Sequence, residues 1–408
     1  MSKVYFITRS YPPFEKGGGS LMRYALVQTL IDHGLSVKVI RIGPTVNDFG
    51  LRGKSILQIL NIIYVRTLLL FERLGVIRDY LLPYSISRYL ELRKKVGRND
   101  IIISTTGGEL GTVILGDMLR NKTGARHIIH FRDPVNYGVN LGVKKNDKFH
   151  VGRAHVQIML MKSADLLVFT AERHAEKIAR LELGVEQLVQ YSGYISNQHR
   201  YGFDKLILEG ENNNQIVNVD KKIQAIKLKY PNAIICFYGG SASSIVQGVD
   251  NLLTIIGSFP PEKIQVFVFS DLIENNKLDF ANINYENIVA TQIYVNLFGK
   301  YADVGLVSLI GSYVAHCLPA KIFDIIEHNK YILGYAMKDS EVSAAVNRYG
   351  KGSVVYQDLN IGGQKYIVSN MIENFDKNRE SNIRNTHKKW SMSITNSKLI
   401  VYLRHINT

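Results

Sequence analysis

Cysteine is nearly absent, with two in 408 residues. Cys236 and Cys317 each lie in an apolar stretch without a partner at metal-ligand spacing, which excludes a disulfide framework and leaves buried thiols. Long apolar runs are lacking as well. The most apolar stretch, Ile56 to Phe71, is broken by Gln58, Asn61 and Arg66 and falls short of the ~20 apolar residues of a spanning helix. At the start, Met1-Ser2-Lys3 runs into Val4-Tyr5-Phe6-Ile7, too short for a secretory signal core and suited to a buried first strand. Neither G-x-G-x-x-G nor the Walker spacing G-x-x-x-x-G-K-S/T occurs, so neither standard phosphate fingerprint is available.

Acidic residues are in deficit: 35 Asp and Glu face 50 Lys and Arg, a formal net charge of +15. Such an excess calls for nucleic acid, an anionic bilayer surface or a phosphorylated substrate as partner. Nucleic acid is set aside, because no recognised basic-aromatic module is present. Residues 51–98 hold ten Lys or Arg against Glu72, Asp79 and Glu91, interleaved with Ile, Leu and Tyr. That pattern suits helices lying among anionic headgroups, or core-facing helices with a solvated basic side.

What is present is the composition of a folded globular chain, 46% hydrophobic and 21% charged, and a length that suits two domains. Val4 to Thr8 reads as a strand, Gly17-Gly18-Gly19 as a loop, Leu21 to Ile31 as a helix and Val37 to Ile42 as a second strand. Strands and helices go on alternating to Tyr191. After a polar stretch, a second such series begins at Ala233 to Tyr238, with strands expected at Ile264 to Phe269, Ile288 to Ala290, Val304 to Leu309, Tyr331 to Gly334 and Val354-Val355. The expected architecture is α/β, with two Rossmann-like, doubly wound parallel-sheet domains facing across a cleft. Boundaries are set at 1–195 for the first domain, 196–231 for linker and lead-in, 232–385 for the second domain, and 386–408 for a helical segment that packs back on the first.

Ligands of such sheets bind beyond the carboxyl ends of the strands, so the loops there carry the candidates. Gly18 and Gly19 open the first helix, where unhindered N–H groups can face an anion. Gly240 and Ser241 hold the equivalent place in the second domain. His130, Arg132 and Asp133 follow the fourth strand: an Asp there can act as base or grip a sugar hydroxyl, and an Arg can neutralise phosphate. A simple turn or a solvated ion pair is the plainer account of each. Pro319 suits a first helical turn, which puts Lys321 near the positive end of a helix, a poor place for a cation unless an anionic ligand meets it. Asp324 lies three residues on, on the same face, where it can hold ribose hydroxyls.

On these residues the sequence resembles glycosyltransferase family 4, in the subgroup that builds bacterial surface polysaccharides. The resemblance rests on Tyr11-Pro12-Pro13 with Gly17-Gly18-Gly19, on Ser163 to Val168, Gly248 to Leu253, Tyr301 to Val307, Pro319 to Asp324, and the run from Lys330 to Gly352. It implies a GT-B fold and transfer, with retention, from a nucleoside-diphosphate sugar, without metal or other cofactor. The lack of any Asp-x-Asp agrees. Together with the basic, apolar stretch 51–98, the reading is a lipid-linked or saccharide acceptor, a cytoplasmic enzyme peripheral to the inner face of the cell membrane, and contact with that anionic surface through residues 51–98. The chain departs from the family at three places: the first of two spaced acidic residues falls on His316, a clamp lysine on Gln247, and a frequent histidine on Arg132. Two other readings stay open. A sugar-nucleotide epimerase shares the build, and a catalytically inactive partner subunit would account for His316 and Gln247.

Overall fold

The computed structural model describes residues 2–12, 18–44, 56–132, 156, 158–171, 188–191, 213–240, 248–270, 278–288, 297–311, 315, 317–375 and 392–407. The chain divides into two compact units, Met1–Tyr194 with Met392–Thr408, and Ile195–Ser391.

In the first unit six strands form one parallel sheet: β1 (Lys3–Thr8), β2 (Ser36–Arg41), β3 (Ile101–Thr106), β4 (Arg126–Phe131), β5 (Leu166–Phe169) and β6 (Leu188–Tyr191). Their order is β2-β1-β3-β4-β5-β6. Helices α1 (Gly18–Asp32), α2 (Ile56–Arg73), α3 (Leu82–Leu92) and α4 (Gly111–Thr123) connect the early strands. Strand β3, Ile-Ile-Ile-Ser-Thr-Thr, is buried along its whole length, as a central parallel strand covered on both faces must be. Its polar half, Ser104 to Thr106, therefore needs local partners; Ser104 meets the His127 ring at 3.0 Å.

The second unit repeats the plan with β7 (Ile234–Gly239), β8 (Ile264–Phe269), β9 (Ile283–Glu286), β10 (Val304–Ser308), β11 (Tyr331–Ala336) and β12 (Gly352–Tyr356), all parallel. The order is β12-β11-β10-β7-β8-β9, so the first strand of the unit lies at the centre beside the fourth, as in a Rossmann sheet. Helices α5 (Asn213–Lys229), α6 (Val249–Gly257), α7 (Lys321–Glu327), α8 (Glu341–Tyr349) and α9 (Ile361–Glu373) belong to this unit. Alternating strand residues fill both faces of the sheet. Phe237 meets Phe269 edge-on at 5.0 Å and Phe298 at 5.9 Å, while Cys236 and Tyr238 join the cluster of Val249, Leu252 and Leu253 from α6. Cys236 is a free buried thiol whose pKa burial pushes up.

Local signals end and start these helices. Ser340 accepts the Ser343 N–H at 3.1 Å to begin α8, and Asn360 accepts the Gly363 N–H at 2.8 Å to begin α9. A last helix, α10 (Ser397–Asn407), is grouped with the first unit, and its Arg404 donates to the carbonyl of His33 at 2.8 Å.

One strand differs from expectation. The ninth pairs through Ile283–Glu286 rather than starting at Ile288, which forms a bend; residues 289–290 lie outside the described set. The cause is Asn282. Its carbonyl accepts the Val266 N–H at 2.8 Å and its side chain donates to the carbonyls of Ile256 and Phe259, fixing the register early. The polar sequence Asn284-Tyr285-Glu286 hides this edge strand from a hydrophobicity pattern.

Each sheet has one place where successive crossovers leave in opposite directions: between β1 and β3 in the first, and between β7 and β10 in the second. At the carboxyl ends of such strand pairs the two following loops diverge and leave a crevice.

Candidate functional site

In the second unit, β7 ends at Gly239, and Gly240 donates its N–H to the Phe269 carbonyl at 3.2 Å. The chain comes back to α6 at Gly248, whose backbone is left-handed at φ 47°. A Cβ there would lie 2.6 to 2.9 Å from side-chain carbons of Ile310, just past β10. Only glycine fits. Gly248, at the start of α6, is thus held against the end of the other strand of the crevice.

Helix α7 follows β10 and begins at Lys321. Pro319 and Ala320 accept the N–H groups of Ile322 and Phe323, each at 3.1 Å, in a tight first turn with no side-chain cap. The lysine is 9% exposed and its Nζ stands 4.0 Å from the centre of the Tyr238 ring, the residue before the end of β7. Burial lowers its pKa from 10.5 to about 7, and the Asp324 charge only partly opposes this. Tyr238 is fully buried, and its hydroxyl is pushed up first by burial and then by the charge of Asp250, in the first turn of α6. Burial also raises the Asp250 carboxyl. Groups from β7, α6 and α7 therefore meet at the reversal point of the second sheet, and the ammonium among them is held where it is costly to keep charged.

The loop before α7 is pinned too, by the N–H of Glu341 donating to the Ala315 carbonyl at 2.6 Å. Asp324 lies in the first turn of α7, three residues after Lys321. Ser241, Gln247 and His316 lie outside the described residues.

In the first unit the reversal point is filled by a buried ion pair. Arg23, from α1, donates to Glu109 Oε1 at 3.1 Å and through Nε to Thr105 Oγ1 at 3.1 Å, and also to Ser10 Oγ. The side chains of Arg23 and Glu109 are 5% and 8% exposed. Glu109 Oε2 accepts the Gly107 N–H at 2.8 Å, and its backbone carbonyl accepts the Thr106 hydroxyl at 2.6 Å. Burial would raise this carboxyl, but Arg23, Arg132 and Arg9 together hold it below its usual range. Arg9 follows β1 and faces the Tyr80 ring at 5.7 Å. Gly18 and Gly19 form the first turn of α1, the helix that delivers Arg23.

His130 and Arg132, at the end of β4, line a pocket with Met22, Arg23, Leu26 and Thr105. His130 is buried, and burial with the neighbouring Arg23 lowers its pKa to about 3, so it is neutral at pH 7. Arg132 is fixed through its backbone: its N–H donates to the Thr106 carbonyl at 2.9 Å and its carbonyl accepts the Thr170 hydroxyl at 2.7 Å. Asp133 lies outside the described residues. The structure thus brings His130 and Arg132 together in one unit, and Gly240, Lys321 and Asp324 to the strand ends of the other.

Four residues had escaped the sequence reading: Tyr238, Asp250, Arg23 and Glu109. Tyr238 and Asp250 flank the glycine loop of the second domain and were open to notice by position. Arg23 and Glu109, 86 residues apart, carry no local pattern that joins them.

No family model matches the chain, and no curated protein matches its sequence. Its fold does have solved counterparts. The α,α-trehalose-phosphate synthase of Burkholderia xenovorans, solved with glucose-6-phosphate, aligns at TM-score 0.62 and 10% identity over 99% of this chain and 100% of that one. HepE of Anabaena, solved with UDP, aligns at TM-score 0.59 and 12% identity over 99% and 100%. WaaG, described as a glycosyltransferase of lipopolysaccharide biosynthesis, aligns at TM-score 0.56 and 10% identity over 98% and 99%. The two Rossmann-like parallel-sheet domains of this chain have the GT-B fold.

Proposed function

We propose that the chain is a glycosyltransferase that moves a sugar, with retention and without a metal, from a nucleoside diphosphate to a lipid-linked saccharide in surface polysaccharide synthesis. The observation that carries this is Lys321, buried over Tyr238 at the reversal point of the second sheet. An ammonium with its pKa lowered to about 7 is a poor structural element and a good receptor for a diphosphate. As the bond to the sugar breaks, charge grows on the departing diphosphate, and a fixed cation with backbone N–H groups stabilises it more than it stabilises the bound donor. In this reading Gly240, Ser241, Gln247 and His316 line the diphosphate and Asp324 takes the ribose. Such binding elsewhere in the fold lends support, since HepE was solved with UDP.

The acceptor is assigned to the first domain. Gly18 and Gly19, at the start of α1, are read as further donor-binding N–H groups, and Arg132, neutral His130 and Asp133 as the catalytic residues on the acceptor side. Membrane attachment is assigned to α2 and α3. Ile62, Val65 and Leu68 turn inward, while Leu60, Ile63, Tyr64 and Leu70 are 46–56% exposed beside the exposed Arg66. Such a face suits an interfacial helix among anionic headgroups, at the inner leaflet of the cell membrane. None of the described helices is long and apolar enough to cross a membrane.

The test is to incubate the purified protein with a panel of sugar nucleotides, with and without lipid-linked saccharide in anionic vesicles. Sugar transfer that requires the acceptor supports the proposal. An isomerised donor without acceptor means an epimerase, and no nucleotide binding at all means a non-catalytic subunit.

A further inference from the structure

At the opposite end of the first sheet, where β3 and β4 begin, lies a pocket of about 590 Å³. Arg98, Arg120 and Arg126 line it with Asn99, Asp165 and, from α10, Ile406. Strand amino ends are not where an α/β sheet places its main ligand site, so this pocket has no part in the transfer reaction above.

Its charges do not balance. Among the described residues that line it, Asp165 is the one carboxylate. Both its oxygens are engaged: Oδ1 with Arg126 at 3.4 Å, and Oδ2 with Arg120 Nε at 3.4 Å and with the His127 N–H at 2.8 Å. Two long contacts from one carboxylate leave most of the two guanidinium N–H groups without a partner among the described residues. Asp100, the nearest acid in sequence, accepts the N–H groups of Lys3 and Gly97, each at 2.8 Å. Arg98 has no ion pair among the described residues. Its stem runs past the left-handed Gly124 that closes α4, with Cγ 3.5 Å from where a Cβ would sit. The positive excess is concentrated in a concave, largely polar pocket, where field lines focus and planar guanidinium forks match phosphate oxygens.

We propose that this pocket binds a phosphate-bearing small molecule at a second site, separate from the diphosphate site at Lys321. The volume exceeds that of inorganic phosphate and lies within the range of sites for sugar phosphates and nucleotides. Ile406 puts the last turn of α10 in contact with the occupant, so binding also ties the end of the chain to the sheet. The site stands whatever reaction the strand carboxyl ends support.

Pyrophosphate is the probe, titrated calorimetrically into full-length protein at fixed ionic strength. Saturable binding is expected that weakens roughly tenfold or more in Arg98→Ala/Arg126→Ala, a few-fold in Arg98→Ala alone, and persists in Lys321→Ala. Arg98 and Arg126 are both exposed, so circular dichroism should be unchanged in the variants. Equal affinity in wild type and the double variant, or an equal response to chloride at the same ionic strength, would overturn the proposal. So would loss in Lys321→Ala with retention in the arginine variants, which places the anion at α7.

Discussion

Lys321 Nζ lies 4.0 Å from the centre of the Tyr238 ring, which links the helix that follows β10 to the penultimate residue of β7. The contact spans the point where the second sheet reverses its order. A cation over an aromatic face recovers part of what it loses on leaving water, and no more. Burial lowers its pKa to about 7, and the charge of Asp324 opposes this only in part.

Lys321→Ala should therefore lower turnover by about 100-fold or more, the loss typical of one electrostatic donor to a transition state. Circular dichroism should be unchanged, and the melting temperature equal or higher, because a buried charge has been removed. Wild-type turnover in this variant removes the phosphate-clamp assignment.

The same residue predicts a pH dependence with a fixed sign. Its folded pKa, about 7, lies below the ordinary 10.5, so between these values the folded protein holds fewer protons than the unfolded one. Its contribution to stability should rise with pH across that window and be least below about pH 7. Lys321→Met should flatten that part of the profile. A diphosphate bound beside Lys321 restores its charge, so UDP binding at pH 8 should take up close to one proton, read calorimetrically in buffers of different ionisation heat.

The ion pair at the other reversal point makes a stability prediction. Glu109→Ala leaves Arg23 buried without its carboxylate and should cost about 3–5 kcal/mol by urea denaturation. The double variant Arg23→Met/Glu109→Leu should cost clearly less, since it leaves no lone charge. Equal losses would mean that packing, not charge, sets the effect.

Much of the fold was legible because buried parallel strands announce themselves. Ile101-Ile102-Ile103 and Ile234-Ile235-Cys236-Phe237 are continuous apolar runs bounded by turn residues, and runs of that length suit few elements other than a buried strand. The edge strand Ile283–Glu286 was not legible, since its fixed point is the hydrogen bonding of Asn282, which leaves no periodic trace. Lys321 was legible for a physical reason: a lysine opening a helix opposes the macrodipole and so invites an explanation. Its partner Tyr238 was not, because a tyrosine near the end of an apolar strand looks like core until α7, more than 80 residues on and after β10, brings a charge over it. Arg23 and Glu109 were invisible for a related reason, since only the β2-β1-β3 order brings α1 over the loop after β3.

Gly248 offers a test of the loop anchor. Gly248→Ala should cost about 1–3 kcal/mol, because a side chain at φ 47° is strained and its Cβ meets Ile310. Donor binding should weaken with it. Shortening Ile310 to alanine should recover part of the loss by relieving the clash but not the strain.

On α2, Ile63→Glu/Leu70→Glu should reduce co-sedimentation with anionic vesicles by about tenfold, as two exposed apolar contacts are lost. Thermal stability and UDP affinity should be unchanged, since both side chains face away from Ile62 and Val65. A fall in stability instead would show that this face is covered by protein.

The most direct test is a structure of the protein with UDP bound. The phosphates should lie at the start of α7, with an oxygen within hydrogen-bonding reach of Lys321 Nζ and the ribose toward Asp324. Phosphates bound away from that helix start, with Lys321 still packed on Tyr238, would contradict the account and leave the GT-B architecture without this site.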